Sequence, residues 1–248
     1  MNTTTANSNH NQRSWFSRLW QLGYQLLFGF IIISIISVVL LRWLPAPTSM
    51  FMLYRHSEDL IQHQHFIPIR YSWVNYANIS LNASAAVIAS EDQHFFNHSG
   101  FDTAAIQMAI QRYLKGGQLR GASTISQQVA KNLFLTPTKS FIRKGIEAWF
   151  TFLIEIFWTK QRILEMYLNI AELGDHVFGI NEASYKYFSI SPRQLTVSQA
   201  ALLAATLPNP IIYQAQHPSR YVLKRQKWIL RQMRNNQLFR SAITRKTP

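Results

Sequence analysis

The sequence contains no cysteine among its 248 residues. This absence excludes disulfide bonds and thiolate metal sites, but it does not distinguish between cellular compartments. Acidic residues are also scarce, since 11 Asp and Glu stand against 25 Lys and Arg and give a formal net charge of +14. Such an excess is typical of proteins that bind nucleic acid, an anionic membrane surface or a phosphate-bearing substrate. Composition alone favours nucleic acid, so the choice depends on the patterns along the chain.

An apolar run near the N-terminus changes this balance. Residues 26–41 read LLFGFIIISIISVVLL, and the stretch from Gly23 to Leu44 contains a single charge, Arg42. About 20 apolar residues cross a bilayer core, whereas the apolar region of a signal peptide has about 7–15. Basic residues flank the run almost equally, so charge does not fix its orientation. The sequence predicts three parts: a polar tail over 1–21, a single transmembrane helix over 22–44 and one globular domain over 45–248.

The globular domain is predicted to be mainly α. Side chains that cap helix N-termini precede most of its apolar segments, and two of them form capping boxes with a glutamine three residues later. These cap residues are Ser80, Asp102, Thr124 with Gln127, Ser140, and Thr196 with Gln199. Only residues 67–74, IPIRYSWV, have the composition of a strand.

Two of the predicted helices carry unusual amounts of apolar surface. Residues 141–158, FIRKGIEAWFTFLIEIFW, are so apolar that nearly the whole helix is expected to be buried. The helix over 103–115 is expected either to pack in the core or to enter the membrane interface.

Two adjacent acids, Glu91 and Asp92, end an apolar helix. An acid among apolar neighbours is a familiar setting for a general acid or base. Acids at a helix C-terminus oppose the helix dipole, and such a local conflict is a pointer to function. His94 and His98 have the i,i+4 spacing of metal ligands, but no third ligand lies at motif spacing, so no metal site is predicted.

Thr124, Gln128 and Lys131 are spaced four and three residues apart and therefore share one face of a helix. A hydroxyl, an amide and an ammonium on one face suit sugar hydroxyls and a phosphate, although an ordinary amphipathic helix has a similar polar face. Glu165 and Asn169, also i,i+4, read as a polar pair that organises the core.

Arg143 and Glu147 are i,i+4 with Lys144 beside them, in an otherwise apolar helix. A buried charge needs a partner. The group is therefore either a structural ion pair or a second acid held among cations beside a phosphate site.

Five segments, taken together and in order, resemble the motifs of the peptidoglycan glycosyltransferases. This family includes the monofunctional wall polymerases and the N-terminal domains of bifunctional penicillin-binding proteins. The segments are EDQHFFNHSGFD (91–102), GASTISQQVAKNLFL (121–135), RKGIEAWFTFLIE (143–155), KQRILEMYLNIAELG (160–174) and QAALLAATLPNP (199–210). Residues 169–184 are similar in particular to the monofunctional biosynthetic transglycosylases, and no Ser-x-x-Lys occurs, so no transpeptidase domain is expected.

The resemblance implies a lysozyme-like, mainly helical domain whose cleft lies near the membrane. The expected substrate is lipid II, the undecaprenyl-pyrophosphoryl disaccharide-pentapeptide, which is polymerised into β-1,4-linked glycan with inversion at the MurNAc anomeric carbon. The expected location is the inner membrane, with the N-terminus in the cytoplasm and the catalytic domain in the periplasm. Expected partners are lipid II, the growing strand, the membrane and proteins of cell division or elongation, and nucleic acid is not expected. No dedicated cofactor is expected, only a divalent cation (Mg²⁺ or Mn²⁺) together with the substrate pyrophosphate.

The resemblance also assigns roles to residues. Glu91 matches the general base and Glu147 the second catalytic acid, while Lys131, Arg143 and Lys144 are expected to bind the pyrophosphate leaving group. The other positions assigned to substrate binding are Asp92, Phe95, His98, Thr124, Gln128, Asn132 and Asn169.

Two rival interpretations remain at this stage. A lysozyme-like muramidase or lytic transglycosylase would share the catalytic glutamate, but only a polymerase needs the cations for a pyrophosphate. A basic scaffold or nucleic-acid-binding protein would explain the charge, but not acids at fixed spacings inside apolar helices.

Overall fold

A computed structural model describes residues 6–62, 67–117, 123–138 and 140–235 of the chain. The chain divides into two compact units, and the boundary along the sequence lies between Trp43 and Leu44. The first unit contains one helix, α1 (Ala6–Leu40), so helical structure begins well inside the segment predicted as a polar tail. Within α1, Trp20–Leu40 has 21 residues and a mean hydropathy of 2.3. Only 11% of its most apolar 18-residue stretch is buried. This segment is long and apolar enough to cross a membrane, as the sequence predicts.

The second unit is mainly α, which confirms the predicted class. It contains nine α-helices, two 3₁₀ turns and three short strands in the part of the chain that the structure describes. In chain order these are α2 (Met50–Gln62), β1 (Arg70–Tyr71), a 3₁₀ turn (Tyr76–Asn78), α3 (Leu81–Glu91), α4 (Thr103–Leu114), α5 (Ile125–Phe134), α6 (Phe141–Phe157), α7 (Lys160–Ile170), β2 (Glu172–Gly174), β3 (Val177–Phe178), α8 (Gly179–Phe188), a 3₁₀ turn (Pro192–Gln194), α9 (Val197–Thr206) and α10 (Arg220–Asn235).

Side-chain caps fix where the helices of this unit begin. Each cap predicted from the sequence accepts a hydrogen bond from a backbone N–H in the first turn, which satisfies a donor that the helix itself leaves free. These caps are Ser80 on α3, Asp102 on α4, Thr124 on α5, Ser140 on α6 and Thr196 on α9. Both capping boxes are present, at Thr124 with Gln127 and at Thr196 with Gln199.

The strands form one small sheet in the order β1-β3-β2, with β1 parallel and β2 antiparallel to β3. The predicted strand over 67–74 is therefore too long. Asn169 accepts a hydrogen bond from the Val74 N–H and donates one to the Val74 carbonyl, at 2.8 and 2.9 Å, and Glu165 accepts one from the Tyr76 N–H at 2.7 Å. Side chains thus take the backbone groups that a longer strand would use, and the predicted polar pair does organise the core.

Helix α2, which the sequence did not predict, holds the turn between β2 and β3. Asp59 of α2 faces the Nε2 atom of His176 at 2.8 Å, and Asp175 faces the Nδ1 atom of the same ring at 2.8 Å. Arg55 of α2 reaches Asp175 at 2.7 Å. Gly179 begins α8 at a φ of +82°, and a Cβ atom there would lie 2.5 Å from the Asn169 carbonyl oxygen, so only glycine fits.

The core is centred on α7, from Ile163 to Ile170, where nearly every side chain is buried. Helix α5 packs against α6 and α7, while α3 packs against α9 and α10. Glu91, the last residue of α3, therefore lies where α3, α5, α7 and α10 approach one another.

The two helices with unusual apolar surface are less buried than the sequence suggested. The expectation that α6 is nearly all buried is wrong, since Phe141 and Ile142 are 97% and 80% exposed and Ile156 is 57% exposed. Helix α6 packs mainly against α5, so only one of its faces is covered. Helix α4 contains no buried residue, so of its two expected placements core packing is wrong, and the membrane interface stays a prediction.

Candidate active site

The Glu91 carboxylate is held by donors from three directions. Its Oε1 atom accepts hydrogen bonds from the Ser90 hydroxyl at 2.8 Å and from the Arg225 guanidinium at 3.1 Å. Its Oε2 atom accepts one from the Gln128 amide at 3.1 Å. The side chain is still 16% exposed, so a molecule in the cleft can reach it. Such a carboxylate is oriented, yet keeps lone pairs free to accept a proton.

The orientation of the Gln128 amide follows from Tyr167. The Tyr167 hydroxyl donates to the Gln128 oxygen at 3.2 Å, which turns the amide nitrogen toward Glu91. Burial raises the pKa of Tyr167 well above its ordinary value, and the nearby charge of Glu91 raises it further. The hydroxyl therefore keeps its proton at neutral pH, and a chain of donors runs from Tyr167 through Gln128 to Glu91.

Arg225 is the residue of this site that the motif-based assignment missed, because it lies in α10, beyond the fifth motif. It also donates to the Ser90 hydroxyl at 2.9 Å, and its Nε atom is buried without a hydrogen-bond partner among the described residues. The sequence does hold a signal: Arg225 is three residues after Val222 and four before Ile229, the two buried residues of α10. A cation on the apolar face of a helix requires an acidic partner inside the fold.

Asp92, the other member of the acid pair, is turned into the protein. Its side chain is 2% exposed, faces the Nε2 atom of His98 at 2.9 Å and accepts a hydrogen bond from the Ile125 N–H at 3.0 Å. It therefore ties the end of α3 to the first turn of α5, which carries Gln128. Of the two adjacent acids, Glu91 has the more exposed side chain, at 16% against 2%, and direct contact of Asp92 with substrate stays a prediction.

Four other positions assigned to substrate binding line or support this region. Phe95 is fully buried, with the Lys160 ammonium 4.6 Å from its ring centre. The Thr124 hydroxyl donates to the Gly100 carbonyl at 2.6 Å, and Asn169 is bonded to Val74 as described. Asn132 is buried on α5. Thr124 and Asn169 thus have structural partners, and direct contact of these four with substrate stays a prediction.

A cationic cluster surrounds the second predicted acid. Glu147 is 2% exposed and pairs with the Arg143 guanidinium at 2.7 Å and with the Lys144 ammonium. Arg143 is partly buried, whereas the Lys144 side chain is 48% exposed. The i,i+4 pair that the sequence indicated is thus an ion pair with a second cation attached.

Lys131 lies close enough to both acids, Glu91 and Glu147, for their charges to act on it. It lies on α5 one turn after Gln128, and its side-chain ammonium has no ion-pair or hydrogen-bond partner within the described ranges. Burial lowers the pKa of Lys131. Among its neighbouring charges, Glu147 and Glu91 favour the ammonium form, while Arg143 and Lys144 oppose it. A largely buried cation without a partner, between two acids and beside two further cations, is suited to receive an anionic ligand.

The described residues hold no group of three or more His, Cys, Asp or Glu side chains that could bind a metal ion. The two histidines at i,i+4 spacing face different acids, since His94 pairs with Asp102 at 2.9 Å and His98 with Asp92. Asp92 is thereby bonded within the fold, and a divalent cation held together with the substrate pyrophosphate stays a prediction.

Comparison with known proteins agrees with this arrangement. A transglycosylase family model matches residues 59–234. The chain is similar to the biosynthetic peptidoglycan transglycosylase of Haemophilus influenzae, with 47% identity over 93% of this chain and 93% of the relative. It is similar to proteins of the same name from Mannheimia succiniciproducens, with 50% identity over 82% of this chain and 84% of the relative, and from Pseudomonas aeruginosa, with 46% identity over 89% and 93%. With a partly exposed, oriented glutamate, a family model over most of its length and these relatives, the chain belongs to the transglycosylase family.

Proposed function

We propose that this protein is a peptidoglycan glycosyltransferase that polymerises lipid II into glycan strands. The observation that carries the proposal is the presence of one oriented, partly exposed carboxylate, Glu91, and a separate cluster of three cations, Lys131, Arg143 and Lys144. Family membership and the names of the relatives support the same reaction.

In the proposed reaction Glu91 acts as the general base. It removes the proton from the 4-hydroxyl of the acceptor GlcNAc while that oxygen attacks the anomeric carbon of the donor MurNAc. The bond from this carbon to the pyrophosphate oxygen breaks on the opposite face, so the α-linked donor becomes a β-1,4 link. Hydrogen bonds from Gln128 and Arg225 hold the carboxylate in place for this transfer.

The leaving group is stabilised by charge rather than by protonation. Undecaprenyl pyrophosphate gains negative charge on its bridging oxygen as the bond breaks, and preorganised cations stabilise such developing charge. Lys131 is the most favourable partner because its ammonium is desolvated and has no ion pair in the described structure. Glu147 holds Arg143 and Lys144 in position.

A glycan hydrolase is the second candidate, since it too would use a carboxylate such as Glu91. A hydrolase that attacks with water has no anionic leaving group, and the buried, unpaired Lys131 would then cost stability without a benefit. The cationic cluster therefore favours the polymerase.

The proposed location of the protein follows from the lipid-linked substrate and the candidate membrane span. We place the N-terminus in the cytoplasm, α1 across the inner membrane and the catalytic domain in the periplasm, where a lipid-linked precursor is accessible. The exposed apolar faces of α4 and α6 support a position at the bilayer surface. A divalent cation bound by the substrate pyrophosphate, and partners from the division or elongation machinery, stay predictions.

The direct test is to incubate the purified full-length protein with labelled lipid II in detergent. We expect labelled glycan polymers, which a muramidase digests to disaccharide-peptides. A parallel incubation with purified wall glycan should release no soluble fragments. Soluble fragments from the wall glycan, without polymer from lipid II, would establish the hydrolase instead.

Replacing Lys131 with methionine should separate stability from activity. The polymerisation rate should fall by about 10²–10³-fold, because a preorganised charge at the leaving group is lost. The variant should nevertheless have a higher Tm at neutral pH, because burial makes the ammonium costly to the folded state. Since the pKa of Lys131 is lowered in the fold, this cost disappears as the pH rises through the lowered pKa toward the ordinary value of 10.5. The difference in Tm should therefore narrow at alkaline pH, and a lower Tm at neutral pH would contradict the prediction.

Replacing Arg225 with methionine should lower the polymerisation rate constant by about 10–100-fold, because the base loses one of the groups that position it. Arg225→Lys should restore part of the rate, since an ammonium can still reach Glu91. Arg193→Met, which removes an exposed cation elsewhere, is the matched control and should leave the rate unchanged. Equal rates for Arg225→Met and the control would remove Arg225 from the site.

A further inference from the structure

Helix α10 presents an unusual line of positive charge to solvent. It contains six basic residues and no acid. Arg225 points to Glu91, and Val222 and Ile229 are buried on the inner face. The other five cations recur at intervals of four and three residues, so they lie on one outer face. We name them the basic stripe: Arg220, Lys224, Lys227, Arg231 and Arg234, all exposed.

The positive charge of the basic stripe is not neutralised by acidic side chains of the described structure. None of its five side chains pairs with a carboxylate in the part of the chain that the structure describes. The stripe extends over 15 residues, from Arg220 to Arg234, and the distance between its ends is about 21 Å at roughly 1.5 Å per residue. Beyond the helix, residues 236–248 add Arg240, Arg245 and Lys246 and no acid. A long, uncompensated line of exposed cations is suited to an extended anionic partner.

Apolar side chains flank the stripe and indicate what that partner is. Tyr221 is 50% and Leu223 40% exposed, and they lie on opposite sides of the line of cations, with Trp228 beside Tyr221 partly exposed. Cations that alternate with exposed aromatic and aliphatic side chains along a helix are typical of helices that lie in a membrane interface. Exposed aromatic side chains beside cations also suit single-stranded nucleic acid, but the candidate membrane span of the same chain favours a lipid surface.

The position of α10 agrees with a bilayer. Arg225 reaches Glu91 from α10, so this helix borders the catalytic cleft. On the proposed function, the substrate carries a lipid that stays in the bilayer, and the cleft must therefore open close to the lipid surface. The chain also contains its own candidate span, which keeps the domain within reach of that surface.

We propose that the basic stripe of α10 docks on an anionic lipid surface and holds the cleft of Glu91 at the bilayer. The headgroup phosphates contact the five cations, while Tyr221 and Leu223 enter the interface. Each basic residue near such a surface strengthens binding by roughly fivefold at moderate ionic strength, so the contact weakens with salt.

The absence of cysteine from the chain gives a direct test. Leu223→Cys, in the full-length protein, keeps all five cations and accepts an environment-sensitive fluorophore beside the stripe. The protein is reconstituted in vesicles of phosphatidylcholine alone or mixed with phosphatidylglycerol, and quenching by a lipid-borne quencher is measured. We expect strong quenching with phosphatidylglycerol and weak quenching without it or at high salt. A probe at Tyr185→Cys, at an exposed position of α8, should remain unquenched in both types of vesicle.

Charge variants complete the test in the Leu223→Cys background. The triple variant Lys224→Gln, Lys227→Gln and Arg231→Gln should lose quenching in phosphatidylglycerol vesicles. The matched control removes three exposed cations outside α10 and should retain the quenching. Its substitutions are Arg70→Gln, Lys186→Gln and Arg193→Gln. Quenching that is independent of phosphatidylglycerol, or equal in the two triple variants, would overturn the proposal. So would protection of the probe by glycan strands without lipid, because the stripe would then bind the product.

The failure of this proposal can be distinguished from failure of the proposed function. Polymerisation of lipid II in detergent needs no bilayer, so it should proceed in both triple variants. A protein that polymerises but shows no anionic-lipid contact refutes the docking alone. A protein whose stripe docks but which makes no polymer refutes the enzymatic proposal alone.

Discussion

Replacing Glu91 with glutamine should lower the rate of lipid II polymerisation by about 10²–10⁴-fold, the usual contribution of a general base. The amide has the shape of the carboxylate but cannot accept the proton of the acceptor hydroxyl. The measurement is the initial rate of polymer formation at saturating lipid II. The Michaelis constant should change little, because the lost interaction develops as the proton moves.

The fold should tolerate this substitution because its neighbours can adapt. In the wild type, Gln128 directs its amide nitrogen to Glu91 and its oxygen to the Tyr167 hydroxyl. A glutamine at position 91 with its oxygen toward Arg225 would present a second nitrogen to Gln128. Gln128 can then turn its amide over, because the Tyr167 hydroxyl accepts a hydrogen bond as readily as it donates one. The Tm should therefore stay within a few degrees of wild type.

The matched control is Glu182→Gln, which makes the same chemical change on α8. Glu182 accepts a hydrogen bond from Ser72, and the amide oxygen of glutamine can accept it too. This variant should polymerise at the wild-type rate. If Glu91→Gln equals Glu182→Gln in rate, Glu91 is not the base and the proposed mechanism is wrong.

The elements that the sequence predicts well are those governed by local rules. Helix starts follow from cap residues such as Thr124 and Thr196, whose side chains bond to N–H groups only three residues away. The motif that contains Glu91 predicted an acid at the end of an apolar helix, and α3 does end at Glu91. The apolar run predicted one long helix, and Trp20–Leu40 fulfils the length and hydropathy of a span.

The features that the sequence did not predict depend on contacts between distant segments. The strand over 67–74 is shortened because Asn169, 95 residues away from Val74, takes backbone groups of that segment. The local sequence pattern does not distinguish Glu91 from Asp92, and the motif resemblance assigned the base to Glu91 without predicting that Asp92 would bond to Ile125 and His98 inside the fold. The apolar composition of α6 indicates how much surface could be buried, but not that only one side would meet a partner.

Replacing Glu147 with glutamine should be the most damaging change for stability, lowering the free energy of unfolding by about 3 kcal/mol, because it removes the acid from a buried ion pair. Arg143 loses its partner, and Lys144 is left beside it as a second uncompensated cation. The half-exposed Lys144 is partly stabilised by water, which places the expected loss at the lower end for buried pairs. The measurement is unfolding of the full-length protein by heat and by denaturant. The control is Glu165→Gln, which breaks the ion pair with Arg162 on the neighbouring helix α7. This variant should lose stability, but it keeps the cations that are proposed to bind the pyrophosphate.

Restoring the charge balance distinguishes the two interpretations of Glu147. In the double variant Glu147→Gln, Lys144→Gln, one cation is removed with the acid, so part of the lost stability should return. If Glu147 positions the cations for the leaving group, the polymerisation rate of the double variant stays low although its stability recovers. If the rate recovers together with the stability, Glu147 forms only a structural ion pair. We expect the first result, because Arg143 and Lys131 both lie within the field of Glu147, and removing this acid shifts the positions of the charges that would meet the pyrophosphate.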